Sequence, residues 1–282
     1  MKILPFTIPK PKRDTLLLQE DKGPVFYSHL HQHEEIQISV ILSGVGTLLV
    51  GDTVTSYSEG DVLIFGSNLP HVFRSDTSKN RESHMLSIFF TEASFGDNFF
   101  LIEELKSLQP FFKKAENGCK LTSKKQQIAG YFAQLFKASK FDRFLLFLQL
   151  LKILSTAQQE RLSSFVSEKK YKDTEGKRMS AIFEYTMTHF RNPVSLKDIA
   201  EQAAMTENAF CRYFKKRTRK TFVTFLNELR IEEACKLIHT EKELSIAEIS
   251  ERAGFQNVSN FNRKFLELKR QTPREYLKHL VQ

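Results

Sequence analysis

Between residues 25 and 90 the apolar residues fall in short blocks, and turn-forming residues separate one block from the next. Ile36, Ile38, Val40 and Leu42 alternate with Gln37, Ser39 and Ile41. Ser43-Gly44-Val45-Gly46 then turns the chain, Thr47 to Val50 returns it, and Gly51-Asp52 turns it again. Val62 to Phe65 follows a turn at Glu59-Gly60-Asp61, and Met85 to Phe90 follows the polar loop Ser75 to His84. This spacing predicts an antiparallel barrel or sandwich. Further on the period lengthens. Ile128, Phe132, Leu135 and Phe136, and then Phe144, Leu145, Leu148, Leu151 and Leu154, recur at helical spacing and predict two amphipathic helices of roughly four turns each. Two such helices fit a cap on the barrel or a seam between two copies, and the expectation adopted is a homodimer through the seam. Residues 158–177 are polar and aperiodic and read as a linker.

From there to the end the chain repeats itself. Ser195, Ile199, Ala203, Ala204 and Met205 match Ser245, Ile249, Ala253, Gly254 and Phe255 at an offset of 50, while Phe210, Arg212, Phe214, Thr221 and Phe225 match Phe261, Arg263, Phe265, Thr272 and Tyr276 at an offset of 51. One inserted residue in the second turn accounts for the change. Each copy opens with a capping box, Ser195-x-x-Asp198 or Ser245-x-x-Glu248, so a helix starts there. Each helix stops at a small residue followed by a large apolar one, and a second helix begins at Thr206 or Asn257. Two short helices joined by so tight a corner make a helix-turn-helix, and its second helix is the one that enters a DNA groove. Phe210 with Phe214, and Phe261 with Phe265, point that helix into the core. The opposite face carries Asn208, Cys211, Arg212 and Lys215 in the first copy, and Ser259, Asn260, Asn262 and Arg263 in the second. Arginine and asparagine have the donor geometry to read guanine and adenine edges, and Lys215, Lys216, Arg217 and Lys264 are placed for phosphates. Phe222 to Ile238 reads as one helix that spaces the two copies.

Charge strengthens that reading. The net charge is +9, and from Arg178 onward 19 Lys and Arg stand against 13 Asp and Glu; Arg212 to Lys220 holds six basic residues and no acidic one. With 282 residues, 41% of them apolar and 27% charged, the composition is that of a two-domain globular protein. The segment MKILPFTIPKPKRD carries Pro5, Pro9 and Pro11 without a sustained apolar core, so it does not read as a signal peptide, and the expected location is the cytoplasm, with no membrane partner. Cys119, Cys211 and Cys235 are scattered without a CxxC pair and are expected as small buried apolar residues.

Over Met179 to Leu277 the pattern resembles the AraC family of bacterial regulators, most specifically in Gly254-Phe255, Ser259, Phe261, Arg263, Phe265, Thr272-Pro273 and Tyr276. The resemblance implies a sequence-specific transcription regulator that sets both second helices in successive major grooves of duplex DNA. Base reading falls to Asn208, Cys211 and Arg212 in one copy and to Ser259, Asn260, Asn262 and Arg263 in the other; an activator would also meet RNA polymerase. Three departures stand out. Ala204 replaces the usual first-turn glycine, and Arg219 and Arg270 occupy the glycine sites after each second helix.

The amino-terminal part resembles the cupin-like barrel of many such regulators. His31-Gln32-His33, Gln37 and Gly44 keep the spacing of the first cupin motif with glutamine in place of glutamate, and Gly60-Asp61 with Pro70-His71 resemble the second. The resemblance implies a metal held by histidines and a glutamate, as in cupin enzymes. Gln37 removes the anionic ligand, so no cofactor is expected, although His31, His33 and His71 are the residues that would hold a metal. The preferred reading is a pocket in which His31, His33, Gln37 and His71 hydrogen-bond a small polar effector, a carbohydrate by family analogy, between walls of Phe26, Phe65 and Phe73. The chain is not expected to be an enzyme; the alternative is a metal-dependent cupin enzyme fused to a DNA-binding domain. The expected organisation is a cupin-like barrel over 1–95, a dimerising helical region over 96–157, a linker over 158–177 and the double helix-turn-helix over 178–282.

Overall fold

The computed structural model describes residues 15–78, 82–164, 173–241 and 243–281, so the proline-rich start of the chain lies outside the described residues. Two compact units divide the chain, Met1–Gly176 and Lys177–Gln282.

Among the described residues, nine antiparallel strands build the first unit: β1 (Leu17–Gly23), β2 (Ile36–Ser43), β3 (Gly46–Val50), β4 (Thr53–Tyr57), β5 (Val62–Phe65), β6 (His71–Ser75), β7 (Ser83–Phe90), β8 (Cys119–Leu121) and β9 (Gln159–Arg161). They form two sheets, ordered β1-β7-β2-β5-β8-β9 and β4-β3-β6, and no closed barrel joins them among the described residues. Alternation along β2 sends its residues to two different interiors. Ile36, Ile38 and Val40 meet Val62, Ile64, Ile88 and Phe90 in one apolar core, whereas Gln37 and Ser39, although polar, are also buried.

The first core is completed by helices α1 (Gln109–Ala115), α2 (Lys125–Leu135) and α3 (Lys140–Ser155). Ile128, Phe132 and Leu135 from α2, and Phe147, Leu150, Leu151 and Leu154 from α3, are all within it. Each such side chain contributes about 1.5–3 kcal/mol by leaving water. The apolar faces expected to form a seam between copies therefore pack chiefly onto their own sheet. What α3 leaves outside is Phe141 and Leu145, 70% and 43% exposed.

The expected linker needs correction at its start. Residues 159–161 form β9 on the sheet edge, Leu162 and Ser163 are buried, and Asp52 accepts hydrogen bonds from Ser163 Oγ (3.2 Å), Ser164 N (2.9 Å) and Ser164 Oγ (2.5 Å). A three-residue polar edge strand shows no alternation in sequence, because its pairing partner supplies the specificity. Residues 165–172 of the expected linker lie outside the described residues, and its last five, 173–177, form the start of a helix, Asp173–His189.

Helices make up the second unit: α4 (Asp173–His189), α5 (Leu196–Gln202), α6 (Glu207–Thr218), α7 (Phe222–Thr240), α8 (Ile246–Arg252), α9 (Val258–Lys269) and α10 (Pro273–Val281). Both capping boxes form, Ser195 with Asp198 and Ser245 with Glu248. Phe183, Phe210, Phe214, Phe222 and Phe225 pack in edge-to-face and tilted contacts in the first half, and Ile231, Ile238, Ile249, Phe255, Phe261 and Phe265 form the core of the second. Ala204, Arg219 and Arg270 all adopt the left-handed conformation (φ 52°, 59° and 59°), although none is glycine. Of the cysteines, Cys119 and Cys235 are buried as expected, but Cys211 is exposed, because it lies on the flank of α6 beside the stripe that Phe210 and Phe214 bury.

Candidate functional site

Backbone pairing assembles the histidine cluster. His31 and His71 form an isolated antiparallel bridge at the free edge of β6, with N···O distances of 3.1 and 2.9 Å, and their rings stand 4.2 Å apart. His33 follows two residues later, and ligand atoms of all three imidazoles lie within 4.8 Å of one another. Each Nδ1 meets a backbone carbonyl: His29 (3.0 Å) for His31, Glu35 (2.8 Å) for His33 and Leu69 (2.8 Å) for His71. A carbonyl only accepts, so each Nδ1 carries the proton and each Nε2 presents a lone pair. Burial, followed by mutual repulsion, pushes the His31 pKa down to about 4, and that of His71 falls well below its ordinary value for the same reasons. His33 is lowered by burial too. All three are thus neutral imidazoles at neutral pH.

Gln37 closes the group. Its Oε1 is 3.0 Å from His33 Nε2 and 3.2 Å from His71 Nε2, and its Nε2 donates to Ser39 Oγ (2.8 Å), which pairs with Ser87 Oγ (2.8 Å). In this orientation an acceptor oxygen faces two lone-pair nitrogens with no proton between them. Either a cation or an amide turned the other way would satisfy these atoms. Two further buried oxygens, Gln32 Oε1 and Glu35 Oε2, lack hydrogen-bond partners, and Glu35 Oε2 lies 3.8 Å from His33 Nδ1.

In the second unit α6 and α9 present matched outer faces. Thr206 caps α6 and Asn257 caps α9, the latter accepting from Ser259 N (2.8 Å) and Asn260 N (3.2 Å). Asn208, Cys211, Arg212, Lys215 and Lys216 are exposed on α6, as are Ser259, Asn260, Asn262 and Arg263 on α9. Arg217 is half-buried over the Tyr213 ring, 5.4 Å from its centroid, and Lys264 is paired with Glu267 at 2.7 Å. Lys220 joins Glu228 at 2.7 Å and Lys269 joins Glu232, so the end of each second helix is tied to α7.

Comparison with known proteins agrees with both arrangements. A helix-turn-helix domain model matches residues 199–279, and a cupin domain model matches residues 17–89. Over 272 residues the chain is 24% identical to the HTH-type transcriptional regulator YdeC of Bacillus subtilis, covering 89% of this chain and 87% of that one. The chain carries a helix-turn-helix domain and a cupin domain, and over most of its length it is similar to an HTH-type transcriptional regulator. An HTH-type regulator of Staphylococcus aureus strain MSSA476 is 30% identical over 99 residues, a stretch that is only 13% of its length. ToxT from Vibrio cholerae superposes on 95% of this chain with 14% identity and a TM-score of 0.38.

Within the cupin domain His31, His33, Gln37 and His71 come together, and the three aromatic residues lie close by. Phe65 stacks on His71 at 4.2 Å and meets Phe73 at 5.8 Å, and Phe73 meets Phe26 at 5.4 Å. These rings pack on one another and on Tyr57, forming a filled apolar layer beside the imidazoles. Ser39, Ser87 and Glu35 escaped the sequence reading. Ser87 meets Gln37 only through the β2–β7 register, which pairs Ser39 with Ser87, and no local pattern encodes it. Double-stranded DNA is the partner that the helix-turn-helix domain implies. No helix among the described residues is long and apolar enough to cross a membrane.

Proposed function

We propose that this regulator reads two successive major-groove segments with α6 and α9 and responds to a small polar ligand bound at His31, His33, Gln37 and His71. The observation that carries the DNA half is the repetition. Arg212 and Arg263 occupy the same place in two copies of one motif, both exposed, in the second turn after a capped helix start. Asn208, Cys211 and Arg212 read bases in one groove, and Ser259, Asn262 and Arg263 read them in the next, with Lys215, Lys216 and Arg217 on phosphates. Lys264 reaches phosphate by giving up Glu267. Arg263→Ala is expected to weaken specific binding by about 1–3 kcal/mol and to relax preference at one base pair. Equal loss on random duplex would overturn the assignment.

For the ligand, three neutral imidazoles and an amide suit hydroxyl-rich molecules such as sugars, which enter past His31, the least buried of the three. A second reading is favoured by the convergence of Gln37 Oε1 on two Nε2 lone pairs. Imidazole Nε2 atoms with their Nδ1 protons pinned to carbonyls are a donor set for a divalent transition metal, with Glu35 behind His33. A thermal-shift screen of the whole chain against sugars and against zinc or manganese separates the two, because a ligand that binds only the native state raises its melting temperature. A metal response lost in His71→Ala and strengthened in Gln37→Glu supports the cation. A sugar response insensitive to chelator supports the polar effector.

Dimerisation through Phe141 and Leu145 of α3 completes the proposal, with the regulator in the cytoplasm and RNA polymerase as a further partner where it activates. Phe141→Glu is expected to shift sedimentation from dimer to monomer; a monomeric parent chain would remove the seam.

A further inference from the structure

The first turn of α9 contains a contact that α6 lacks. Arg263 Nη2 donates to Asn260 Oδ1 at 2.8 Å, one helical turn apart and on the exposed face. In the first copy Arg212 occupies the place of Arg263, but the place of Asn260 is taken by Ala209, which offers no acceptor. We infer that Asn260 is a positioning residue, which fixes the Arg263 guanidinium for a guanine edge and does not itself read a base. The inference rests on the proposed role of α9 as a base-reading helix and assigns a specific division of labour within it.

The chemistry of the two side chains supports this division. An asparagine that reads adenine uses both halves of its amide, accepting from N6 and donating to N7. Asn260 Oδ1 already accepts from Arg263 through one of its two lone pairs, so its amide is aligned on the guanidinium and would have to turn away from it to meet an adenine edge squarely, whereas Asn262, exposed beside it, is assigned as the adenine reader of α9. The guanidinium loses little. It has five N–H donors, one of them engaged, and the remaining ones still offer a pair to guanine O6 and N7. A guanidinium already held in one orientation forfeits less freedom on docking, and its misalignment with a wrong base is harder to relieve by swinging away. Arg212 has no such restraint. The two grooves are therefore read with unequal stringency, strictly by α9 and more loosely by α6.

The experiment is selection of duplexes from a randomised pool by the full chain, followed by competition binding on the selected site with each base pair varied in turn. The variants are Asn260→Ala, Asn260→Asp, Arg263→Ala, Asn262→Ala and Ala209→Asn. Arg263→Ala identifies the guanine position that depends on Arg263. Asn260→Ala is expected to lower discrimination about tenfold at that same position and at no other. Asn260→Asp, which keeps an acceptor for the guanidinium, is expected to retain the discrimination with weaker binding to every duplex. Ala209→Asn is expected to sharpen the position that α6 reads with Arg212. Relaxation by Asn260→Ala at a position untouched by Arg263→Ala makes Asn260 a reader and overturns the inference, as does an unchanged profile. If Arg263→Ala alters no position the inference is overturned, and if Asn262→Ala alters none either, the base-reading role of α9 fails as well, an outcome distinguishable because Asn260→Ala never enters that comparison.

Discussion

Ala204, at φ 52°, sits in a conformation that a β-carbon opposes, while the matching Gly254, at φ 93°, fills its corner without one. Left-handed backbone costs roughly 1 kcal/mol or more with a side chain present, so Ala204→Gly is expected to stabilise the helical unit by about 1 kcal/mol and raise its melting temperature by a few degrees. The reverse change is severe. A β-carbon on Gly254 would come within 2.6 Å of the Phe190 carbonyl oxygen, so Gly254→Ala should lower the melting temperature far more than Ala204→Gly raises it. At the histidines the expected effect is one of pH. Neutral burial holds the His31 pKa at about 4, below its ordinary 6.5, and lowers those of His33 and His71. Between those values the unfolded chain binds protons that the native chain does not, so stability is complete above about pH 6.5 and declines as pH falls towards 4. Calorimetry of the amino-terminal transition over that range tests it; His31→Gln, His33→Gln and His71→Gln together should flatten the slope.

Helix boundaries in the second unit were legible in the sequence because local chemistry sets them. Ser195, Thr206, Thr221, Ser245 and Asn257 each cap the helix that follows with a side-chain oxygen. Replacing Ser195 or Ser245 with alanine is expected to cost about 1 kcal/mol each, read as a lower denaturation midpoint. Strands β8 and β9 were far less legible. They are short, lie towards a sheet edge, and gain their regularity from distant partners, as Lys120 does with Leu63 and Arg161 with Cys119. The histidine cluster stands between these extremes. Motif spacing brought out His31, His33, Gln37 and His71, but the orientation of their ring nitrogens is decided by the carbonyls of His29, Glu35 and Leu69, which sequence alone does not place. The two second helices also differ in kind. Lys215 and Lys216 of α6 are replaced in α9 by Leu266 and Glu267. Removing both lysines should reduce the salt dependence of binding by about one unit of slope per lysine, and Leu266→Ala should leave it unchanged.

Each unit closes its own apolar core, and that makes the helical unit a candidate for independent folding. A fragment beginning at Asp173 is expected to keep the base preferences of the whole chain but to bind its site about a hundredfold more weakly, through loss of the second copy that dimerisation supplies. Equal affinity of fragment and whole chain in equilibrium binding would rule out that contribution. Within this unit the spacing between α6 and α9 is not adjustable. Lys220 to Glu228 and Lys269 to Glu232 fasten both to the single 19-residue helix α7, whose interior is buried along its length. On the proposed reading of DNA by α6 and α9, the protein is expected to measure distance along the duplex as strictly as it reads bases. Two good recognition sequences separated by an extra half-turn, roughly five base pairs, would lie on opposite faces of the duplex and count as one.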